Sequence, residues 1–182
     1  VNGDIHTANM KADALKERYQ SKKFIYAFLY GAGASKLGKV VGGSAGMGQN
    51  LITKFLTNMP KLKELRENII EASQKGTIIA LDGRLLHIRA DYASLNTLLQ
   101  GAGAIICKQW LVHIIERIRK SGVDAKLVAS IHDEYQFEVA KKDIKEFGQI
   151  TKDAMKETEK TLNVRCPLDC EFKSGTTWSE TH

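Results

Sequence analysis

The chain has 182 residues, of which 43% are hydrophobic and 26% charged, with a formal net charge of +6 and a pI near 9.2. That balance excludes a disordered polymer and suits one good core or two close-packed subdomains. No apolar run approaches the roughly 18 residues of a membrane span, and the basic surplus favours a polyanionic partner without identifying it.

The first residues, VNGDIHTANM, are polar, so no signal peptide is expected there. The first residue is not Met, which fits a processed chain, an excised piece or part of a longer product. His6 is a lone ring just before the first predicted helix, and a lone His is commonly incidental. That helix runs from about Lys11 to Gly33. Arg18, Lys22, Tyr26 and Tyr30 recur every four residues on it, and at 3.6 residues per turn they form one slowly drifting stripe. Phe24, Ile25, Phe28 and Leu29 fall to the other sides and can anchor the helix on a core, while Gly31 and Gly33 end it. Two cations four residues apart suit a polyphosphate, and a Tyr further along can stack on the base of the same nucleotide. The same spacing also suits a solvated cationic face with tyrosines half packed. From Lys11 to Val40 seven Lys or Arg stand against Asp13 and Glu17, which concentrates positive charge around this helix.

Ser35–Val41 predicts a short helix, and the glycines of Gly42–Gly48 predict a flexible break. That break is not a phosphate loop, because the closing Gly-Lys-Ser/Thr is missing. Gln49–Asn58 and Pro60–Lys75 predict two more helices, so the first 75 residues form a helical lobe. Thr77–Leu81 and Arg84–Arg89, separated by Asp82-Gly83, predict a hairpin with a two-residue loop that hinges the lobe onto the rest of the chain. Residues 94–120 predict a long helix with Leu95, Leu98, Leu99, Ala102, Ile105, Ile106, Leu111 and Ile115 buried. Asn96 and Gln100 lie one turn apart on it, as solvated positions or as hydrogen-bond donors to a bound duplex.

Lys126–Ile131 and Tyr135–Ala140 predict two strands, with His132, Asp133 and Glu134 at the turn of this hairpin, 126–140. A carboxylate held at such a tip can be a ligand for magnesium, or Asp133 can be a turn former only. Lys141–Asn163 predicts an amphipathic helix covering the sheet, and Leu168–Phe172 a last strand. Cys107, Cys166 and Cys170 have no paired zinc-type spacing and are read as reduced thiols of a cytoplasmic protein. The fold class expected is α+β.

Taken together these residues resemble the C-terminal part of a family A DNA polymerase, on the phage replicative side of the bacterial DNA polymerase I group. The family pattern R-x3-K-x3-(F/Y)-x3-Y-G is present as Arg18, Lys22, Tyr26, Tyr30 and Gly31, and its H-D-E hairpin as His132, Asp133 and Glu134. The G-D-I-H segment before the helix, the L-N-T-L-L-Q segment at Leu95–Gln100 and the final His are also similar, so the resemblance runs from about Gly3 to His182.

The resemblance implies a fingers subdomain at 1–76 and the C-terminal part of a palm at 77–182, the helical lobe packed on part of an antiparallel sheet. It implies that His6, Arg18 and Lys22 hold the triphosphate of a dNTP, with Tyr26 at its sugar and base and Tyr30 near the templating base. Asp133 becomes a ligand of catalytic magnesium, His132 lies by the primer terminus and Glu134 supports them. Asn96 and Gln100 reach the minor groove of primer-template DNA, where readout is largely degenerate. The family's second catalytic aspartate comes from a palm strand before the fingers, and Asp4 does not replace it. The chain is therefore expected to hold half of an active site. A partner or upstream polypeptide would supply the thumb, the rest of the palm and any exonuclease. A non-catalytic nucleic-acid-binding or regulatory module is the alternative of a different class, and the retained metal carboxylate argues against it.

Overall fold

In a computed structural model of the chain, residues 18–182 are described. Among them six α-helices combine with two separate two-stranded antiparallel sheets, the α+β class expected. The chain gathers into two compact units. The first comprises residues up to Ala80 together with Arg84–Leu99, and the second Leu81–Gly83 with Gln100–His182.

In the first unit, α1 (Arg18–Leu29) buries Ser21, Phe24, Ile25 and Phe28, the spacing of one helix face. The Phe24 and Phe28 rings meet Phe55 edge to face, with centroids 5.6 and 5.2 Å away. Ala32 N–H donates to the Ala27 carbonyl and Gly31 N–H to the Phe28 carbonyl, each at 2.9 Å, with Gly31 at φ 79. This is the Schellman arrangement that closes a helix on a left-handed residue. A Cβ on Gly31 would also stand 2.2 Å from the Tyr92 carbonyl oxygen, so both conformation and space demand glycine.

Next come α2 (Ala34–Val40) and α3 (Ala45–Asn58), and here the expected flexible break at Gly42–Gly48 is corrected. The Ser44 hydroxyl accepts from Met47 N–H at 3.3 Å, so α3 starts at Ala45 and takes in Gly46 and Gly48. A Cβ on Gly48 would lie 2.0 Å from the Ala34 carbonyl oxygen. Its glycine serves close packing of two helices, a use that composition does not separate from mobility. Helix α4 (Pro60–Ser73) opens with Pro in its first turn and buries Ile69. Strands β1 (Thr77–Ile79) and β2 (Leu85–His87) pair antiparallel. The loop is three residues, Leu81–Gly83, not two, because Ala80 N–H donates to the Arg84 carbonyl at 2.8 Å and Gly83 takes φ 86.

Helix α5 (Ser94–Ser121) contributes Leu95 to the core of the first unit and its later turns to the second. Of the expected buried set, Leu95 and Ile105 are buried, Leu99 is exposed and the others are half-buried; Trp110, His113 and Ile114 are buried instead. A helix apolar on most sides gives no signal for which side is covered. By length and composition Asp91–Ser121 is apolar enough to cross a membrane, which amends the expectation that no segment approaches a span. Its Trp110 indole donates to the Thr151 carbonyl at 2.9 Å and its Arg117 pairs with Glu157 at 2.9 Å, the contacts of a helix packed in a folded domain.

The second unit adds β3 (Ala125–Ile131) and β4 (Glu134–Val139), antiparallel with a bulge at Val128. A 3₁₀ turn at Lys141–Asp143 precedes α6 (Ile144–Thr161), which buries Phe147, Ile150, Ala154 and Met155. Against α6 the expected strand at Leu168–Phe172 does not form. The backbone of its first residue is bonded by side chains of α6: Leu168 N–H donates to Glu159 at 2.8 Å, and Lys156 Nζ donates to the Leu168 carbonyl at 2.5 Å. Leu168 and Cys170 still pack on the core, which explains the strand-like apolar spacing.

Candidate functional site

The opening helix presents its cations and tyrosines because the opposite face is consumed by the phenylalanine core. Arg18, Lys22, Tyr26 and Tyr30 are all exposed, Tyr26 at 49% and Tyr30 at 57%. Lys22 Nζ stands 6.0 Å from the Tyr26 ring centre, within reach of a cation–π contact. Lys23 Nζ lies 4.3 Å from the ring of Tyr19, a second cation–aromatic pair on this helix that the stripe of four did not include. The helix thus offers ammonium and guanidinium groups for phosphate and ring faces for stacking. His6 lies outside the described residues. On α5, Asn96 is half-buried and Gln100 is exposed.

In the second unit His132 and Asp133 are the two turn residues of the β3–β4 hairpin, and Glu134 is the first residue of β4, paired with Ile131. His132 takes φ 52, a left-handed conformation that few residues other than glycine adopt. His132 and Asp133 are exposed and Glu134 is half-buried. The hairpin lies on α5: the Tyr135 ring is 5.5 Å from Trp110, and the Asp133 charge adds to burial in raising the Cys107 thiol above its ordinary value. Asp133 and Glu134 border a cleft of about 870 Å³ that Cys107, Trp178 and His182 also line.

Glu134 is held by residues that sequence reasoning did not assign to the site. Gln136 Nε2 donates to Oε1 at 2.5 Å, Trp178 Nε1 to the same oxygen at 3.4 Å, and His182 Nδ1 lies 2.9 Å from Oε2. These bonds, Gln136 first and His182 second, hold its carboxyl below the ordinary carboxylate range. Trp178 and His182 are four residues apart, so one helical turn brings them to one side. That spacing was the available signal.

Among the described residues no group of three or more His, Cys, Asp or Glu side chains gathers to hold a metal ion. Magnesium takes six oxygens, commonly one or two carboxylates completed by water and phosphate. Asp133 offers one such carboxylate, and both oxygens of Glu134 are engaged, so the described residues fit one corner of a magnesium site and do not complete it.

Comparison with known proteins gives one answer. The family model for DNA polymerase family A matches residues 2–180. The DNA-directed DNA polymerase of Enterobacteria phage T3 is 41% identical over 204 residues, covering all of this chain and 29% of that protein. DNA polymerase I of Geobacillus stearothermophilus is 26% identical over 191 residues, covering 98% of this chain and 21% of its own length. Among solved structures, the POL domain of Pol1 from M. smegmatis, in complex with DNA primer-template and dNTP, superposes with a TM-score of 0.78 at 19% identity. It covers 85% of this chain and 31% of that one, a likeness of fold. The chain spans less than a third of the length of these relatives. Matched along nearly its whole length, it belongs to DNA polymerase family A.

Proposed function

We propose that the chain serves template-directed DNA synthesis, nucleotidyl transfer from a dNTP to a primer 3′ end, as the C-terminal fingers and palm part of a split or longer polymerase. The observation that carries this reading is the exposed run of Arg18, Lys22 and Tyr26 on a helix whose other face is locked in a core, with Tyr30 exposed in the turn directly after it. Residues 1–76 act as fingers and 77–182 as the C-terminal part of the palm. Arg18 and Lys22, with His6, bind the triphosphate, Tyr26 packs at sugar and base, and Tyr30 stands by the templating base. Asn96 and Gln100 contact the minor groove of the primer-template.

Asp133 would hold magnesium together with a second aspartate supplied by a partner or upstream polypeptide, which also brings the thumb and the rest of the palm. When bound, the ion supplies charge neutralisation for phosphoryl transfer. His132 stands by the primer terminus and Glu134 keeps the hairpin in order. The work is done with DNA, in a bacterial or phage-infected cytoplasm.

The test is primer extension with magnesium, by the 182-residue chain alone and with a polypeptide carrying the upstream palm. The chain alone is expected to give no extension and the combination to extend, with Asp133→Asn reducing the rate on the order of 10³-fold while binding DNA normally. Robust synthesis by the isolated chain would overturn the need for a partner. Full activity of Asp133→Asn would overturn the metal role.

A further inference from the structure

Three side chains from two segments converge on one half-buried carboxylate. Glu134 receives Gln136 and Trp178 on Oε1 and His182 on Oε2. The carboxylate can only accept, so the Gln136 amide turns its nitrogen to Glu134, and Thr181 Oγ1 lies 3.1 Å from Gln136 Oε1 and 3.0 Å from the Trp178 carbonyl oxygen. The tail itself is folded for the task. Trp178–Glu180 is a 3₁₀ turn, His182 N–H donates to the Trp178 carbonyl at 3.0 Å, and the two rings meet edge to face at 5.8 Å. Glu180 is occupied elsewhere, accepting from Thr176 N–H at 2.5 Å, so the donors of the tail are left for Glu134.

The residue so gripped directly follows His132 and Asp133, a turn with a non-glycine residue at positive φ. Such a conformation persists when its surroundings over-determine it. Both oxygens of that carboxylate are bonded within the protein, whereas Asp133 beside it is exposed to the cleft. The two acids divide the work, one anchoring and one acting.

Resting on the reading of Asp133 as a working carboxylate, we infer that residues 178–182 form a latch in which His182, acting through Glu134, is a positioning residue for the hairpin tip. The latch makes the placement of Asp133 depend on a segment more than forty residues away in sequence.

The experiment uses the intact gene product that carries this chain, with its partner polypeptide where one is required. His182→Ala, His182→Asn and Asp133→Asn are compared in two measurements. The first is amide hydrogen exchange of residues 131–135 without metal or nucleotide, and the second is incorporation resolved into kcat and KM. His182→Ala should speed exchange at the hairpin roughly threefold, the scale of one exposed charge-assisted contact. It should lower kcat on the order of tenfold with KM for the nucleotide unchanged, as misplacement of a reacting group does. His182→Asn, whose amide nitrogen takes the place of Nδ1, should restore both. Unchanged exchange in His182→Ala overturns the latch, and faster exchange with unaltered kcat overturns the positioning role. Should the alanine variant fail to fold by circular dichroism, Trp178→Phe removes one donor, keeps a ring and is judged by the same two outcomes. Full incorporation by Asp133→Asn would defeat the polymerase reading of the hairpin and leave the exchange result to judge the latch by itself.

Discussion

Where α1 ends, the chain turns on Gly31 at φ 79, and apart from Tyr30 the described side chains proposed to meet a nucleotide lie upstream on a helix face that takes no part in the turn. Between β3 and β4 it turns on His132 at φ 52, which is itself one of the proposed site residues. In the first region shape and the proposed chemistry fall to different residues: Gly31, Phe24 and Phe28 hold the backbone, and the exposed Arg18, Lys22 and Tyr26 are the ones proposed to meet a ligand. In the second the same three consecutive residues are proposed to do both, and Glu134 is bonded to Trp178 and His182, far along the chain. A site of the first kind survives many neighbouring substitutions. One of the second kind depends on contacts far away.

The contrast is tested most severely at Gly31. Gly31→Ala places a Cβ against the Tyr92 carbonyl in a left-handed conformation and should cost on the order of 3 kcal/mol, read from urea unfolding midpoints. Gly33, whose Cβ would meet nothing within 4 Å, is the control and should accept Ala with little loss. Equal losses at both positions would mean that the close approach to Tyr92 is not what α1 depends on. Next in size, Lys22→Ala and Arg18→Ala in the assembled enzyme should each weaken nucleotide use by about 2 kcal/mol, roughly thirtyfold, with primer-template affinity little changed. Uniform loss of DNA binding with intact nucleotide kinetics would make the stripe a DNA-backbone patch.

The opening helix was legible in sequence because everything it needs is local. A period of 3.6 separates Phe24 and Phe28 from Arg18 and Lys22, and Gly31 marks the stop. The β3–β4 hairpin was legible for the same reason, within a residue at each end. What sequence reasoning missed rests on contacts between distant segments. The grip of Trp178 and His182 on Glu134 spans more than forty residues, and the last predicted strand failed because Lys156 and Glu159 of α6 take up the backbone of Leu168. Local pattern cannot say which partner a backbone group will find. The covered face of α5 is not legible for the opposite reason, too many apolar candidates: Leu99 is exposed and Trp110 buried.

A smaller effect bears on glycine against histidine at positive φ. His132→Gly should leave stability within about 0.5 kcal/mol of the parent, because relief of the left-handed strain offsets the added freedom of the unfolded chain. Gly83→Ala in the other hairpin, at φ 86, should lose about 1 kcal/mol in the same unfolding assay. A loss of that size at His132 as well would show that its conformation carries no strain.

The smallest effect concerns acid. The Glu134 carboxyl is held below its ordinary value in the fold, so its contribution is present above the ordinary carboxylate range and fades as pH falls through that range and below. The environment of Trp178 should therefore change on acidification, read by its fluorescence with Trp110→Phe as background, and should not change over that window in Glu134→Gln. A transition that persists in the Gln variant would trace to another group.

The crossing of α2 and α3 has a consequence for how this lobe can vary. A Cβ on Gly38 would lie 2.0 Å from the Ser44 carbonyl oxygen, and one on Gly48 would lie 2.6 Å from Gly38 nitrogen, so main chain rests directly on main chain. Side-chain contacts can be repacked through a change of rotamer, and neighbouring substitutions can compensate for one another. Peptide groups in contact have no such freedom. Gly46, only two residues before Gly48, would bring a Cβ no closer than 3.6 Å to the Ser44 hydroxyl and can drift in sequence. Mutational tolerance along GGSAGMG is therefore a matter of single positions, fixed at one glycine and open at its neighbour, in a segment whose composition alone suggests it is permissive throughout.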